Sequence, residues 1–283
     1  MEIFANNFQK MIALHGGGYS IITINRIGEK IDKEEQTMSD AQKTERFFSD
    51  EQYVRNPEER PLPPERLAAL NVGAINSEQT GYFCDSLTTG CEVDVLKENL
   101  ADYYGITDRD SAAETLDWLR DRGHRFLFDA FKAIYRGEGI DYAAMTQDEM
   151  ESSQEYFMNL QYALAMLAEY GYFSDVTELP QISVLARDLG RMVMVTRCCF
   201  DCGYLSEEEA WAYIDGALAA CREAYDDWEA LARGYVFGRA MWSGPNITLE
   251  GIMQIAYGLL HDGESPWQLV SLQKEEKSAG SKH

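Results

Sequence analysis

The sequence has few basic side chains and no long apolar run. Its 283 residues include 25 Lys and Arg against 48 Asp and Glu, for a formal net charge of -23. A chain this acidic, with no run of Lys and Arg, repels nucleic-acid phosphates and anionic lipids. The aliphatic run ALAMLA at 163 to 168 is far too short to span a bilayer, and the amino terminus has no signal-peptide core. We therefore expect a cytoplasmic protein that binds neither nucleic acid nor membrane.

Several motifs that carry common chemistries are also absent. The chain has no phosphate-binding GxxxxGK[ST] loop, no HExxH and no EF-hand spacing, and its four histidines are scattered. The run His-Gly-Gly-Gly at 15 to 18 resembles an esterase oxyanion loop, but the Gly-x-Ser-x-Gly elbow that must accompany it is missing. The sequence therefore assigns no catalytic residue, no metal ligand and no cofactor, and it leaves open whether the protein is an enzyme.

Three of the six cysteines fall together, at 198, 199 and 202. The CxxC spacing of Cys199 and Cys202 occurs in zinc sites and in redox pairs. Here, however, the pair follows an apolar helical pattern and precedes Gly203, which places it at the carboxyl end of a helix, where the helix dipole disfavours a thiolate. We predict that these cysteines are reduced, buried and free of metal.

Helical patterns follow one another along most of the chain, and alternation typical of strands is almost absent after residue 27. Thr107 or Asp108 is positioned to cap a helix that Gly123 ends, a stripe of apolar residues indicates a helix from about 147 to 171, and Ser206 with Glu209 forms a capping box. The pattern predicts an all-α fold of roughly eight to ten helices.

The amino-terminal part differs from the rest. Apolar spacing predicts a helix ending near Ile12, and YSIITI at 19 to 24 reads as a short strand. The stretch that follows is rich in charge and ends in four prolines between 57 and 64. We therefore divide the chain into an extension and charged linker at 1–63, a single compact helical domain at 64–272 and a polar tail at 273–283.

One group of side chains has the composition of a binding site. Trp228, Tyr235, Arg239 and Trp242 fall on one face of a predicted helix, and Arg191 lies on the apolar central helix, four residues after Arg187 and three after Asp188. An arginine on an inward face must be paired or must meet a ligand, because an unpaired buried charge is costly. We expect carboxylates to hold Arg191 and Arg239, with Asp188 as a candidate partner.

Four segments resemble a bacterial family known only as domain of unknown function 1266. They are YYGITDRDSAAETLDWLRDRGHR at 103 to 125, DLGRMVMVTRCCFDCGYLSEEEAWAY at 188 to 213, DDWEALARGYVFGRAMW at 226 to 242 and SPW at 265 to 267. The resemblance covers about 65 to 272. The family pattern maps onto Trp118, Gly123, His124, Asp188, Arg191, Gly203, Tyr204, Gly238, Arg239 and Trp242. Tyr104 stands where the family usually has a tryptophan. The resemblance implies a helical fold and no established activity.

Two hypotheses of function remain open at this point. The first is a scaffold, regulatory or immunity-like domain that binds another protein, since its acidic surface suits a basic partner. The second is a small-molecule binder or enzyme with an anion-accepting pocket between helices. A deep pocket in which Arg191 and Arg239 lack carboxylate partners would favour the second. The sequence by itself favours the first. The candidate buried polar or ligand-binding residues are His124, Asp188, Arg191, Trp228, Tyr235, Arg239 and Trp242.

Overall fold

The computed structural model describes residues 52–58 and 60–274, and within these ranges the protein is helical and has no strand. This confirms the predicted all-α fold class. The α-helices are α1 (Pro64–Asn71), α2 (Ala74–Thr80), α3 (Val93–Tyr104), α4 (Arg109–Asp121), α5 (Arg125–Tyr135), α6 (Gln147–Glu169), α7 (Leu185–Asp201), α8 (Glu207–Ala224), α9 (Trp228–Ser243), α10 (Ile247–His261) and the single turn α11 (Pro266–Leu269). Short 3₁₀ turns lie at Tyr142–Ala144 and Val176–Gln181.

Five of the helices, α4, α6, α8, α9 and α10, begin where a polar side chain accepts a hydrogen bond from one of their first backbone N–H groups. The Asp108 side chain accepts a hydrogen bond from the Ser111 backbone N–H at the start of α4. The Asp227 side chain likewise accepts one from a backbone N–H in the first turn of α9. At α8 the Ser206 side chain accepts from the Glu209 N–H while Glu209 accepts from the Ser206 N–H. The caps of α4 and α8 agree with the sequence predictions.

Helix α7 lies at the centre of the domain. It packs against α2, α3, α4, α8 and α9, and twelve of its seventeen residues are buried. Its close contact with α9 depends on Gly238, because a Cβ atom there would lie 2.8 Å from the Cβ of Arg187. None of the helices in the described part of the chain is long and apolar enough to cross a membrane.

The residues just before α1 also contact the domain. The Cys84 N–H donates to the Val54 carbonyl, and the backbone N–H groups of Tyr53 and Asn56 donate to the carboxylates of Glu78 and Asp85. The division at 63/64 therefore stays a prediction, and packing contacts already begin at residue 53. The predicted amino-terminal helix, the strand at 19 to 24 and most of the polar tail lie outside the described residues.

Arg197 is buried in α7 and is satisfied by neutral oxygen atoms. Its guanidinium donates to the carbonyls of Leu87, Phe83 and Thr88 at 3.3, 2.6 and 2.8 Å and to the Ser77 hydroxyl at 2.9 Å. The side chain thus ties the loop between α2 and α3 to the central helix. Sequence analysis did not single out this residue.

The six cysteines are all free thiols, and the described residues contain no group of His, Cys, Asp and Glu that could hold a metal ion. Cys198 and Cys199 are buried, and burial raises the pKa of Cys198 to about 12. Cys202 is half-buried rather than buried as predicted, because it follows the last residue of α7, where the chain turns outward through Gly203 at φ +74°. The remaining half-buried cysteine is Cys91.

We predict that a thiol reagent at pH 8 modifies two cysteines per native chain, Cys91 and Cys202, and all six after unfolding. The other four side chains are buried, so the reagent reaches them only when the chain opens. Mass spectrometry of the labelled, digested protein identifies the sites. Rapid native labelling of Cys199 would contradict the packing described.

Candidate functional site

The site is built around the carboxylate of Asp188, which is 1% exposed. It receives the backbone N–H groups of His124 and Arg125, at 3.1 and 3.0 Å, on its two oxygen atoms. The Arg125 guanidinium adds a third bond at 3.2 Å. The start of α5 is thereby fixed to α7, since the carboxylate satisfies backbone donors that the helix itself leaves free.

Gly123 makes this approach possible. It has φ +59°, a left-handed conformation that side chains rarely adopt, and a Cβ atom there would lie 2.1 Å from Asp188 Oδ2. The Gly-His pair after α4 is therefore a structural requirement for the carboxylate contact. As predicted, Gly123 lies just after the end of α4 and has a left-handed backbone conformation.

Three arginines lie beside this carboxylate without pairing to it. Arg187 and Arg191 are on α7 and Arg239 is on α9. Across the described residues, none of the three side chains has a carboxylate within 4.0 Å or makes a hydrogen bond. The expectation that carboxylates hold Arg191 and Arg239 was wrong. The reason is that the nearest sequence candidate, Asp188, is already engaged by His124 and Arg125.

Burial makes these unpaired charges unusual. Arg187 is 2% exposed, and its Nη1 and the Nε of Arg239 are buried without a hydrogen-bond partner. Burial, with a contribution from the charge of Arg191, lowers the pKa of Arg187 to about 10. Burial likewise lowers the pKa of Arg239, and the charge of Arg191 adds to the effect. The charges of Arg187 and Arg239 are thus held at a cost that no ion pair within the described chain offsets.

Aromatic rings line the arginines. The guanidinium carbons of Arg187 and Arg191 lie 4.9 and 5.6 Å from the Trp242 ring centroid, and that of Arg191 lies 5.7 Å from the Tyr104 ring. Such contacts stabilise a cation by about 0.5 to 2 kcal/mol each, which offsets only part of the burial cost. The tyrosine at 104, where the resembling family usually has a tryptophan, keeps an aromatic face against Arg191.

His124 joins the aromatic rings to the arginines. Its ring is edge-on to Trp118 at 4.9 Å and to Trp242 at 4.5 Å, and Tyr156 lies 5.2 Å from Trp242. His124 Nδ1 is 3.6 Å from Asp188 Oδ1, too far for a hydrogen bond, and has no other partner in the described chain. Burial, opposed by Asp188 and assisted by the charge of Arg187, lowers the pKa of His124. The imidazole is therefore neutral at pH 7.

We call this group the arginine-aromatic site, and it consists of Tyr104, Trp118, His124, Tyr156, Arg187, Arg191, Tyr235, Arg239 and Trp242. Tyr235 is buried within it, and its hydroxyl makes no hydrogen bond in the described part of the chain. Trp118, at 39% exposure, and the half-buried Tyr156 and Trp242 connect the arginines with the surface. The arrangement can accept an anion and pack an apolar group beside it.

Comparison with known proteins gives a family but no activity. The family model described as "Protein of unknown function (DUF1266)" matches residues 99–272, which include every member of the arginine-aromatic site. The chain belongs to this family. The family resemblance predicted from the sequence is therefore confirmed.

Two curated relatives carry an enzyme name. A protein named serine palmitoyltransferase from Bacteroides ovatus is 29% identical over 140 residues, covering 48% of this chain and 35% of that protein. A protein of the same name from Bacteroides thetaiotaomicron is 28% identical over 140 residues, which again cover 48% of this chain and 35% of that protein. The chain thus spans about a third of the length of these relatives. No solved structure gives a significant match.

Most of the predicted site residues of this DUF1266 chain do come together. Five of them belong to the site: His124, Arg191, Tyr235, Arg239 and Trp242. Asp188 is not a member, but its carboxylate holds the backbone of His124 in place. Trp228 does not take part. It lies at the other end of α9, stacked on Trp267 at 5.2 Å, and donates its indole N–H to the Val270 carbonyl.

Four members of the site were not among the predicted candidates: Tyr104, Trp118, Tyr156 and Arg187. For Arg187 a signal was present, because it lies one helical turn before Arg191 on the same apolar helix. Trp118 belonged to the family pattern. Tyr104 stands at a position where the family usually has a tryptophan. Tyr156 carried no such signal, since aromatic residues on amphipathic helices are usually core residues and only packing reveals their neighbours.

We predict that Asp188→Asn lowers the free energy of unfolding by about 3 to 5 kcal/mol, because the amide removes the charge that Arg125 and two N–H groups require. Burial alone would raise the Asp188 pKa, but hydrogen bonds from His124 and Arg125 and the charge of Arg187 hold it below its usual value. Its contribution is therefore present above the unfolded-state pKa, near 3.9, and disappears as pH falls through the folded-state pKa. Urea denaturation at pH 7 and at lower pH measures both effects.

We predict the opposite behaviour for Arg191→Met. Methionine keeps the apolar stem, and the change relieves repulsion from Arg187 and Arg239, so the free energy of unfolding should stay unchanged or rise in an anion-free, low-salt buffer. The measurement is urea denaturation beside Arg197→Met, which leaves several buried oxygens without a donor and should be clearly destabilised. A loss of more than about 2 kcal/mol for Arg191→Met would mean that a structural partner holds this arginine.

Proposed function

We propose that this protein binds a small anionic molecule in the arginine-aromatic site. The observation that carries the proposal is a set of three arginines, one of them 2% exposed, that have neither a hydrogen bond nor an ion pair within the described chain. Each guanidinium offers five N–H donors and a permanent charge. An anion supplies both the acceptors and the compensating charge.

Arg197 shows why a purely structural role explains the three arginines poorly. It lies on α7 with Arg187 and Arg191 and is as buried as Arg187, yet its donors meet four neutral oxygen atoms. The fold therefore satisfies a buried arginine where it serves packing alone. Arg187, ten residues earlier, is left with a buried nitrogen that has no acceptor. Buried polar groups without partners in a native protein call for a specific explanation, and a missing ligand is one.

The alternatives are less well supported. The protein-binding hypothesis rests on the acidic composition alone, and no feature of the described residues favours it. The activity in the name of the two Bacteroides relatives is not proposed for this chain, because the chain spans about a third of their length. The proposal assigns a binding site and leaves the reaction, if any, unassigned.

We predict that multivalent anions raise the thermal midpoint of the wild-type protein by roughly 5 to 10 °C at 100 times their dissociation constant. The probes are phosphate, sulfate and citrate against sodium chloride of equal ionic strength, read by differential scanning fluorimetry and titration calorimetry. Arg191→Ala and Arg239→Ala should lose the response because each removes donors from the site.

Arg233→Ala is the matched control. Arg233 lies on the same helix as Arg239 but is paired with Glu178, outside the site, so this variant should keep the full anion response. Two results would refute the proposal. One is that no anion stabilises the wild type more than chloride does. The other is that Arg191→Ala responds as strongly as Arg233→Ala.

A further inference from the structure

Resting on the proposed function, we infer that the anion bound by Arg187, Arg191 and Arg239 is the phosphoryl group of an organic phosphate monoester, whose organic part packs on Trp118 and Tyr156. Different features of the site indicate the phosphoryl group and the organic part. Charge and donor geometry select the phosphoryl group. The aromatic residues between the arginines and the surface select the organic substituent.

The charge of the site exceeds what a carboxylate would balance. The three arginines carry three positive charges. Among the described residues, Asp188 is the only buried acidic side chain, and it already accepts hydrogen bonds from Arg125 and from two backbone N–H groups. A monocarboxylate would leave two of the three charges uncompensated. A phosphate monoester at pH 7 carries between -1.5 and -2 charges, so it compensates most of the site.

The origin of the donors on two helices favours a group with more than two acceptor oxygens. Arg187 and Arg191 reach the site from α7, one turn apart, and Arg239 reaches it from α9, so the donors come from two helices. A phosphoryl group presents three terminal oxygens in different directions, while a carboxylate presents two in one plane. Arginine is well suited to phosphate because its planar fork can engage two oxygens at once.

The aromatic residues indicate what the phosphoryl group is attached to. Trp118 is 39% exposed although it is a large apolar side chain, and it lies against His124, which in turn contacts Trp242. Inorganic phosphate would fill the arginine end and leave these rings uncovered. A flat organic substituent gains dispersion and stacking contacts on such rings.

The test compares four probes by titration calorimetry at pH 7.5: phenyl phosphate, benzoate, inorganic phosphate and acetate. Phenyl phosphate and benzoate share the ring and differ in the anion, while phenyl phosphate and inorganic phosphate share the anion and differ in the ring. We expect phenyl phosphate to bind at least about tenfold more tightly than either relative, with acetate weakest.

Two variants test the phosphoryl group and the organic part separately. Arg191→Ala should abolish binding of both phosphates. Trp118→Ala, a change at a position that is 39% exposed, should reduce the affinity for phenyl phosphate about tenfold and leave that for inorganic phosphate unchanged. Tyr257→Ala is the matched control, since Tyr257 is an exposed aromatic residue, 66% accessible, that lies outside the site.

The pH dependence of ligand affinity is an independent test of the phosphoryl group. Phenyl phosphate loses its second negative charge as pH falls through about 6, whereas sulfate stays a dianion. The titratable groups around the arginines are His124 and Asp188 together with Tyr104, Tyr156 and Tyr235, and a change in their protonation alters the charge around the arginines for both ligands. The ratio of phenyl phosphate affinity to sulfate affinity should therefore fall between pH 7.5 and 5.5.

The outcomes distinguish this inference from the proposed function. If benzoate binds as tightly as phenyl phosphate and depends equally on Arg191, the site binds anions but the phosphoryl assignment is wrong. If Trp118→Ala changes nothing, the assignment of the organic part is wrong. If no probe binds in an Arg191-dependent way, the inference and the proposed function fail together.

Discussion

The site depends on one interaction, the bond between the Asp188 carboxylate and the backbone N–H groups at the start of α5. This carboxylate joins the corner between α4 and α5 to the central helix, and Gly123 is the residue that lets the chain come close enough. His124 is thereby set beside Trp242. The same bond leaves Arg187, Arg191 and Arg239 unpaired, because the nearest acidic group is already used. One structural contact thus creates both the position of the site and its unbalanced charge.

The central helix carries buried arginines in two different states. Arg197 donates to carbonyl and hydroxyl oxygens and stabilises a loop, whereas Arg187 has a buried nitrogen without an acceptor. Residue type, helix and degree of burial are the same for both, so none of these properties decides the role. The decisive difference is the neighbouring backbone. A loop with free carbonyls faces Arg197, and aromatic rings face Arg187.

The positive site lies in a strongly acidic protein, with a formal net charge of -23. Over distances beyond about 8 to 10 Å, salt screens the repulsion between that surface and an approaching anion. At contact distance the guanidinium groups dominate, because charge interactions strengthen in a partly buried site. Net charge therefore repels large polyanions and carries no information about the local field at a small site between helices.

Helix periodicity and capping residues determined the fold class, the bounds of α4 and α6 and the start of α8, because hydrogen bonds and side-chain spacing within a helix are local. The Gly-His pair, Asp188, Arg191, Arg239 and Trp242 could likewise be selected from the sequence. Their partners could not. Asp188 pairs with N–H groups more than sixty residues away, Trp228 faces Trp267 instead of the site, and Tyr104 and Tyr156 meet the arginines only through helix packing. Pairing between distant groups is set by how α4 to α7 and α9 pack, so only the tertiary structure decided which arginines were left without a carboxylate partner.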